Sequence, residues 1–269
     1  MRRILIVLIL SASSHFLLGA EFQSPQDISF KAKHDGTEQR YVLLLPKDFD
    51  AAKPATLLIA LHGHGSDRWQ FIKDDRPECK GARDVALKHA AIYVSPDYRA
   101  KTSWMGPAAE TDLVQIIELL KSQYRIDRVL LCGGSMGGSS SLTFTALHPE
   151  LIDAVASLNG TANHLEYEQF QDAISESFGG PKQKIPDEYK RRSAEYWPEK
   201  FTMPLALTTG GQDTLVPPES ALRLANIVQK LNPHVLLIHR PEGGHSTDYP
   251  DTTQAIEHLF THAKPHSPN

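Results

Sequence analysis

Short apolar runs alternate with longer segments of helical periodicity along most of the chain. The apolar runs are predicted to be strands, at residues 55–61, 91–94, 128–132, 152–158, 203–207 and 235–238. The segments that alternate with them are predicted to be helices, at residues 82–90, 108–124, 136–147, 218–231 and 251–262. Strands that are apolar throughout and separated by helices are typical of a mainly parallel sheet with helices on both faces. The pattern therefore predicts an α/β fold.

The chain departs from this alternation in two places. Residues 28–45 are predicted to form a hairpin around the turn signal Asp35-Gly36. Residues 164–200 are charged and aromatic and contain Gly179-Gly180-Pro181, which we interpret as a lid-like insertion of short helices over the sheet edge. The alternative is a solvated surface excursion. Because neither a repeat nor a linker divides residues 21–269, we expect them to form one domain.

The first twenty residues have the pattern of a secretory signal peptide. Arg2 and Arg3 precede the wholly apolar run 4–10, and a softer stretch ends at Leu18-Gly19-Ala20. The apolar run is shorter than the roughly 20 residues of a membrane-spanning helix. We expect cleavage after Ala20 and a secreted or periplasmic mature chain without stable membrane insertion. The alternative is an uncleaved N-terminal anchor.

Composition acts mainly by exclusion. The chain is 41% hydrophobic and 22% charged, which is typical of a soluble globular protein and excludes a multi-span membrane protein. Its formal net charge of −4 gives it no electrostatic preference for nucleic acid. There are two cysteines, and because Cys132 ends an apolar run, a buried free thiol is favoured over a disulfide with Cys79. The oligomeric state is left open.

A nucleophile motif lies between a predicted strand and a predicted helix. Residues 133–137 read Gly-Gly-Ser-Met-Gly and match G-x-S-x-G. In this motif the serine occupies a sharp strand-to-helix turn, and small residues two positions away on each side permit its strained backbone. The turn lifts the Ser135 hydroxyl above the sheet and directs the start of the following helix at the site. The alternative is an ordinary tight turn, which the flanking strand and helix disfavour.

A serine nucleophile needs a base and a group that orients the base. Asp213 follows the strand predicted at residues 203–207, and His245 follows the one at residues 235–238. Taken singly, Asp213 is also a candidate helix N-cap and His245 an ordinary loop histidine. Serine, acid and histidine in this chain order, at the ends of successive strands, favour a catalytic triad of Ser135, Asp213 and His245.

The segment His62-Gly63-His64-Gly65 ends an earlier strand at the same edge of the predicted sheet. We predict an oxyanion hole formed by the backbone amides of His64 and of Met136, the residue after the nucleophile. The two histidines are also candidates for a metal site, although Asp67 is the one carboxylate close to them in sequence. The mechanism predicted here uses neither a metal nor another cofactor.

These motifs together resemble the α/β-hydrolase superfamily. The resemblance extends over about residues 38–262 and rests on His62-Gly63, the turn from Gly133 to Gly138, the segment from Gly211 to Pro217, and Gly244-His245. More narrowly, the chain is similar to secreted esterases of the carbohydrate-esterase and polyhydroxybutyrate-depolymerase-like groups, and to the catalytic domain of prolyl oligopeptidases. The resemblance implies one α/β-hydrolase domain with Ser135 as nucleophile, His245 as base and Asp213 as acid. The chain lacks room for the N-terminal propeller of full-length oligopeptidases, which favours an esterase.

Three functions follow as hypotheses. The first is an exported serine hydrolase that cleaves small-molecule or polysaccharide esters, with acetyl and feruloyl esters of carbohydrates as candidates. The second is a prolyl-oligopeptidase-like serine peptidase, in which Glu110 or Glu166 would pair with a substrate amine. The third is a non-catalytic binding module, which does not account for an intact triad. We predict that Trp104 stacks on the substrate, with packing on the sheet as the alternative, and that Asn159 lines the acyl pocket.

Overall fold

An eight-stranded sheet runs through the residues that the computed structural model describes, 21–265. The strands in chain order are β1 (Gln26–Lys31), β2 (Glu38–Leu44), β3 (Ala55–Leu61), β4 (Ile92–Pro96), β5 (Ile126–Gly134), β6 (Ala154–Leu158), β7 (Leu205–Gly210) and β8 (Val235–Arg240). Their order in the sheet is β1-β2-β4-β3-β5-β6-β7-β8. β2 pairs antiparallel with β1 and β4, and every neighbouring pair from β4 to β8 is parallel. The predicted α/β class and mainly parallel sheet are confirmed. The predicted signal peptide, residues 1–20, lies outside the described residues.

Helices cover both faces of this sheet. They are α1 (Gln70–Lys73), α2 (Pro77–Lys88), α3 (Pro107–Gln123), α4 (Met136–Leu147), α5 (Gln171–Phe178), α6 (Pro186–Arg191), α7 (Glu219–Val228) and α8 (Tyr249–His262). Alternate residues of β3 show the division, since Leu57 and Ile59 belong to the core cluster that includes residues of α3, α4 and α7, whereas Leu58 and Ala60 belong to the cluster that includes residues of α2 and α8. Among residues 21–265, no helix is long and apolar enough to cross a membrane.

The carboxyl ends of the parallel strands gather the candidate chemistry at one edge. β3 leads into His62, β5 into Ser135, β6 into Asn159, β7 into the loop of Asp213, and β8 into the loop of His245. Parallel strands end on the same side of a sheet, so these five loops meet there. The predicted strands and helices therefore place the motifs together, although α1 carries too few residues to show a period and was not predicted.

Both cysteines lie in the layer that contains α2 and α8. Cys79 and Cys132 are fully buried and unpaired. Burial raises the pKa of the Cys79 thiol to about 12 and raises that of Cys132 further. A thiol that stays protonated at neutral pH is a poor nucleophile, so these side chains act as core residues.

The predicted insertion, residues 164–200, forms short elements between β6 and β7. It contains α5, α6 and two 3-10 turns, at Ala194–Tyr196 and Pro198–Lys200. Its inner surface is apolar, because Ile174, Phe178 and Tyr189 are buried in the main core. The segment is therefore packed on the domain along much of its length rather than a solvated excursion.

A buried arginine ties this insertion to α3. The Arg192 side chain is fully buried, and its Nη2 donates to Oε2 of Glu110 at 2.7 Å. Its Nε donates to Glu188 Oε1 and its Nη1 to the carbonyl oxygen of Met105, both at 2.6 Å. Burial alone would raise the pKa of Glu110, but the hydrogen bond with His148 and the charge of Arg192 lower it from 4.5 to about 2. Glu110 is thus a structural anion.

We predict that Glu110→Gln destabilises the fold in a pH-dependent manner. A carboxyl whose pKa is lowered by folding stabilises the protein above its unfolded pKa, and this contribution is lost as the pH falls through the folded value. The free energy of unfolding at pH 7 should therefore drop by about 2 kcal/mol, a loss that shrinks between about pH 4.5 and 2. Denaturant unfolding of both proteins at pH 7, 5 and 3 measures the difference.

Glu118→Gln is the matched control on the same helix. Glu118 pairs with Lys33 at 2.6 Å, but both side chains are more than half exposed. Exposed pairs contribute little, so this variant should change stability by less than about 0.5 kcal/mol. Equal effects of the two substitutions, or a Glu110→Gln effect that does not vary with pH, would contradict the role given to Glu110.

Candidate active site

The turn between β5 and α4 holds Ser135 in a strained backbone conformation. Its φ of 58° and ψ of −118° lie outside the regions that residues with a side chain usually adopt. The turn is pressed against β3, because a Cβ on Gly137 would lie 2.0 Å from the carbonyl oxygen of Leu61. A Cβ on Gly133 would lie 2.5 Å from the Gly137 backbone. Only glycine fits at these two positions, and their lack of side chains lets the serine project above the sheet.

The hydroxyl of Ser135 meets His245 and Asp213 at this edge. Nε2 of His245 lies 2.9 Å from Ser135 Oγ, and Nδ1 lies 2.7 Å from Asp213 Oδ2. The Asp213 side chain is 1% exposed and that of His245 is 24% exposed. The structure thus brings together the three residues predicted as nucleophile, base and acid, in hydrogen-bonding order.

The carboxylate of Asp213 is fixed by its own loop. Oδ1 accepts hydrogen bonds from the backbone amides of Leu215 at 3.0 Å and Val216 at 2.8 Å. This arrangement occupies one oxygen and leaves Oδ2 for the imidazole. The alternative role of Asp213 as a helix N-cap is not seen, because α7 begins six residues later, at Glu219.

Asn159, which the sequence analysis assigned to the acyl pocket, lines the cleft around Ser135, and its side chain also holds the His245 loop. Its Oδ1 accepts hydrogen bonds from the hydroxyls of Thr208 and Thr247, and its Nδ2 donates to the carbonyl oxygen of Gly244 at 3.4 Å. The two threonine hydroxyls are 2.6 Å apart. These bonds join β6, β7 and the loop after β8, so Asn159 is a support of the histidine.

The loop after β3 presents two consecutive amides near Ser135. The Gly63 amide is already occupied, since it donates to Oε1 of Gln70 at 2.7 Å. The next amide, of His64, is the one that the sequence assigned to the oxyanion hole together with that of Met136. Met136 begins α4, so its amide points out of the amino-terminal end of a buried helix.

The imidazoles of His62 and His64 have separate environments. His62 is fully buried, with Nδ1 2.9 Å from the Gly63 carbonyl oxygen and Nε2 3.2 Å from that of Asp97. His64 lines the cleft, and burial lowers the pKa of its imidazole. Within residues 21–265, no three His, Cys, Asp or Glu side chains are grouped as a metal site requires.

The prediction that Trp104 stacks on the substrate is wrong. Its side chain is fully buried and does not line the cleft. The indole Nε1 instead donates a hydrogen bond to Nδ1 of His64 at 3.1 Å, so Nδ1 is the acceptor and carries no proton. Trp104 also packs against Phe170, which itself lies over the His64 ring with centroids 4.2 Å apart. The sequence shows an aromatic residue at this position, but it cannot show that another residue separates the tryptophan from the cleft.

The cleft around Ser135 has a volume of about 340 Å³. Several residues that line this cleft were not predicted from the sequence: Gln70, Phe71, Arg76, Glu78, Leu158, Phe170, Leu215, Ser246 and Thr247. Gln70 and Phe71 belong to the unpredicted α1, and Phe170 precedes α5 with a left-handed φ of 54°. Glu110 and Glu166 are absent from this lining and pair with arginines, Glu110 with Arg192 and Glu166 with Arg223.

One protein family matches most of the chain. The model of the prolyl oligopeptidase family matches residues 98–262, which include all three positions of the predicted triad. Because the match covers more than half of the sequence, the protein belongs to this family, within the α/β-hydrolase fold. No curated protein sequence matches it significantly.

Solved structures of the same fold include esterases and peptidases. A candidate dipeptidyl aminopeptidase IV from Bacteroides ovatus has a TM-score of 0.69 and 19% identity, with 90% of this chain and 35% of that chain covered. An esterase from Pyrococcus furiosus has a TM-score of 0.65 and 18% identity, with 91% and 94% covered. S-formylglutathione hydrolase from Staphylococcus aureus has a TM-score of 0.63 and 17% identity, with 90% and 96% covered. This chain thus spans about a third of the Bacteroides protein and nearly all of the other two.

We predict that Trp104→Phe lowers kcat more than it changes KM. The variant keeps an aromatic ring behind His64 but removes the indole donor, so the His64 loop and its amide lose a constraint. A lost hydrogen bond of about 1 kcal/mol corresponds to a roughly fivefold fall in kcat on a small ester such as p-nitrophenyl acetate. Steady-state kinetics with a melting curve measure both effects.

Trp197→Phe serves as the control for Trp104→Phe. The Trp197 indole also donates one hydrogen bond, to the carbonyl oxygen of Lys190 at 3.2 Å, but it lies outside the cleft. This variant should leave kcat within about twofold of the original value. An unchanged kcat in Trp104→Phe would show that the indole does not position the His64 loop.

Proposed function

We propose that this protein is an exported serine hydrolase that cleaves carboxylic esters through an acyl-enzyme. The observation that carries the proposal is the chain of short contacts from Ser135 Oγ through His245 to Asp213, at 2.9 and 2.7 Å. Membership of the prolyl oligopeptidase family supports serine hydrolysis. Export rests on the signal-peptide pattern of residues 1–20.

The geometry suits a two-stage reaction. Ser135 Oγ attacks the ester carbonyl carbon while His245 Nε2 accepts its proton, and Asp213 stabilises the imidazolium at Nδ1. His245 then gives this proton to the leaving alcohol as the carbon–oxygen bond breaks, which leaves an acyl-serine. Water attacks the acyl-serine with the same histidine as base, releasing the acid and restoring the hydroxyl.

We propose two backbone amides as hydrogen-bond donors to the carbonyl oxygen when it becomes negatively charged. The amide of Met136 lies at the start of α4, where the helix dipole favours an anion. The amide of His64 approaches from the loop after β3, which Gln70 and Trp104 hold through Gly63 and the His64 ring. Donors fixed before the reaction stabilise the developing oxyanion without further reorganisation.

The amine-recognition role considered for Glu110 and Glu166 has no support, because both pair with arginines away from the cleft. Candidate ester substrates, from the resemblance of the sequence, are acetyl and feruloyl esters of carbohydrates. The family match makes a serine peptidase the second candidate, because esterases and peptidases with this fold share the same triad.

A substrate panel decides between the two candidates. We expect the mature protein to hydrolyse p-nitrophenyl acetate, p-nitrophenyl butyrate and methyl ferulate, and to act at least about a hundredfold more slowly on alanine and proline p-nitroanilides. The reason is that the amide leaving group needs stronger protonation and positioning than an alcohol does. Turnover of the anilides without turnover of the esters would replace the esterase by the peptidase.

Ser135→Ala should abolish turnover and leave the fold intact. Removal of the nucleophile eliminates the acyl-enzyme path, so kcat should fall by at least about a thousandfold. Alanine keeps the Cβ and lacks only the hydroxyl, so the melting temperature should stay close to that of the original protein. The exposed Ser122→Ala variant is the control, with unchanged kinetics expected. Substantial residual activity in Ser135→Ala would exclude this serine as the nucleophile.

A further inference from the structure

Two charged side chains outside the triad line the catalytic cleft, Arg76 and Glu78. Glu78 is the second residue of α2, where the helix dipole favours a negative charge. A Cβ on Gly134, the residue before the nucleophile, would lie 3.7 Å from Glu78 Cγ. The carboxylate is therefore within one side-chain length of the reacting serine.

The charge of Glu78 is compensated only weakly. Its ion-pair partner among residues 21–265 is Arg76, whose Nη1 lies 3.6 Å from Oε1, longer than a hydrogen bond. Arg76 is also engaged elsewhere, since its Nε donates to Asp74 Oδ2 at 2.7 Å. Arg83, also on α2, lies 3.5 Å from a carboxylate oxygen of Asp75. These five side chains, two guanidinium groups and three carboxylates, carry a net negative charge, and Glu78 is the one of the three carboxylates that lines the cleft.

An aromatic ring lies beside this carboxylate. Phe71 lines the cleft. A Cβ on Gly134 would lie 3.8 Å from Phe71 Cζ and 3.7 Å from Glu78 Cγ, so both side chains approach the same point of the backbone. A carboxylate attracts an ammonium group by charge, and an apolar neighbour such as this ring weakens the screening by water. The Glu78 side chain is 18% exposed, so water screens the attraction only in part.

We infer that Glu78 makes this site selective for esters that carry a positively charged group, such as an alkylammonium, on the part of the substrate that lies over Gly134. The inference rests on the proposed function and narrows its substrate class. Glu78 takes no part in bond breaking. It acts on binding and on the transition state equally, so its contribution belongs in kcat/KM.

Pairs of esters with the same shape and different charge test the inference. Acetylcholine and 3,3-dimethylbutyl acetate place the difference on the alcohol. The p-nitrophenyl esters of 4-(trimethylammonio)butyric acid and 5,5-dimethylhexanoic acid place it on the acyl group. For at least one pair, kcat/KM should be about tenfold higher for the cationic member, a ratio that high salt reduces.

Glu78→Gln should lower this ratio to about one, because it removes the charge and keeps the shape of the side chain. Glu199→Gln removes the same charge from an exposed residue outside the cleft and should preserve the ratio. Melting curves check that both variants fold. The effect of salt is measured on the original protein, so it does not depend on whether a variant folds.

The outcomes separate the inference from the proposed function. Hydrolysis of the neutral esters without cationic preference in either pair would overturn the role of Glu78 and leave the esterase intact. A preference that survives Glu78→Gln would do the same. Absence of hydrolysis of all four esters, with anilides turned over, would contradict the proposed esterase and this inference with it.

Discussion

The close approach of the β5–α4 turn to β3 is the contact on which the rest of the site depends. A side chain at Gly137 would collide with the Leu61 carbonyl oxygen, so the turn reaches this position only with glycine. The approach permits the strained conformation of Ser135, with φ at 58°, and brings its hydroxyl level with the loops of the neighbouring strands. It also brings the start of α4 to the same edge of the sheet as these loops.

A second close approach of backbone holds the loop of His245. A Cβ on Gly210 would lie 2.2 Å from the Gly244 carbonyl oxygen, so the His245 loop crosses directly over the end of β7. The hydroxyl pair of Thr208 and Thr247, with Asn159, fixes this crossing from within. Strain at Ser135 is thereby offset by hydrogen bonds and packing in the elements around it, a pattern that is typical of functional sites.

The sequence predicted the parts of this arrangement that depend on local chemistry. The apolar strands and the glycines around Ser135 have patterns that follow from backbone geometry, as do the positions of Asp213 and His245 after their strands. Trp104 was misplaced because the sequence shows an aromatic side chain but not which residue covers it. Glu78 gave no signal, since an acidic residue in the first turn of a helix has an ordinary structural role. Its position beside Gly134 results from the packing of α2 against the sheet.

Labelling with a fluorophosphonate tests most directly whether His245 activates Ser135 and Asp213 orients His245. The reagent reacts with an activated serine and leaves a stable adduct whose position peptide mass spectrometry identifies. We predict one adduct, on Ser135, whose rate of formation falls at least about a hundredfold in His245→Ala. Labelling of another serine, such as one of Ser139, Ser140 and Ser141 on α4, or equal labelling of His245→Ala, would contradict it.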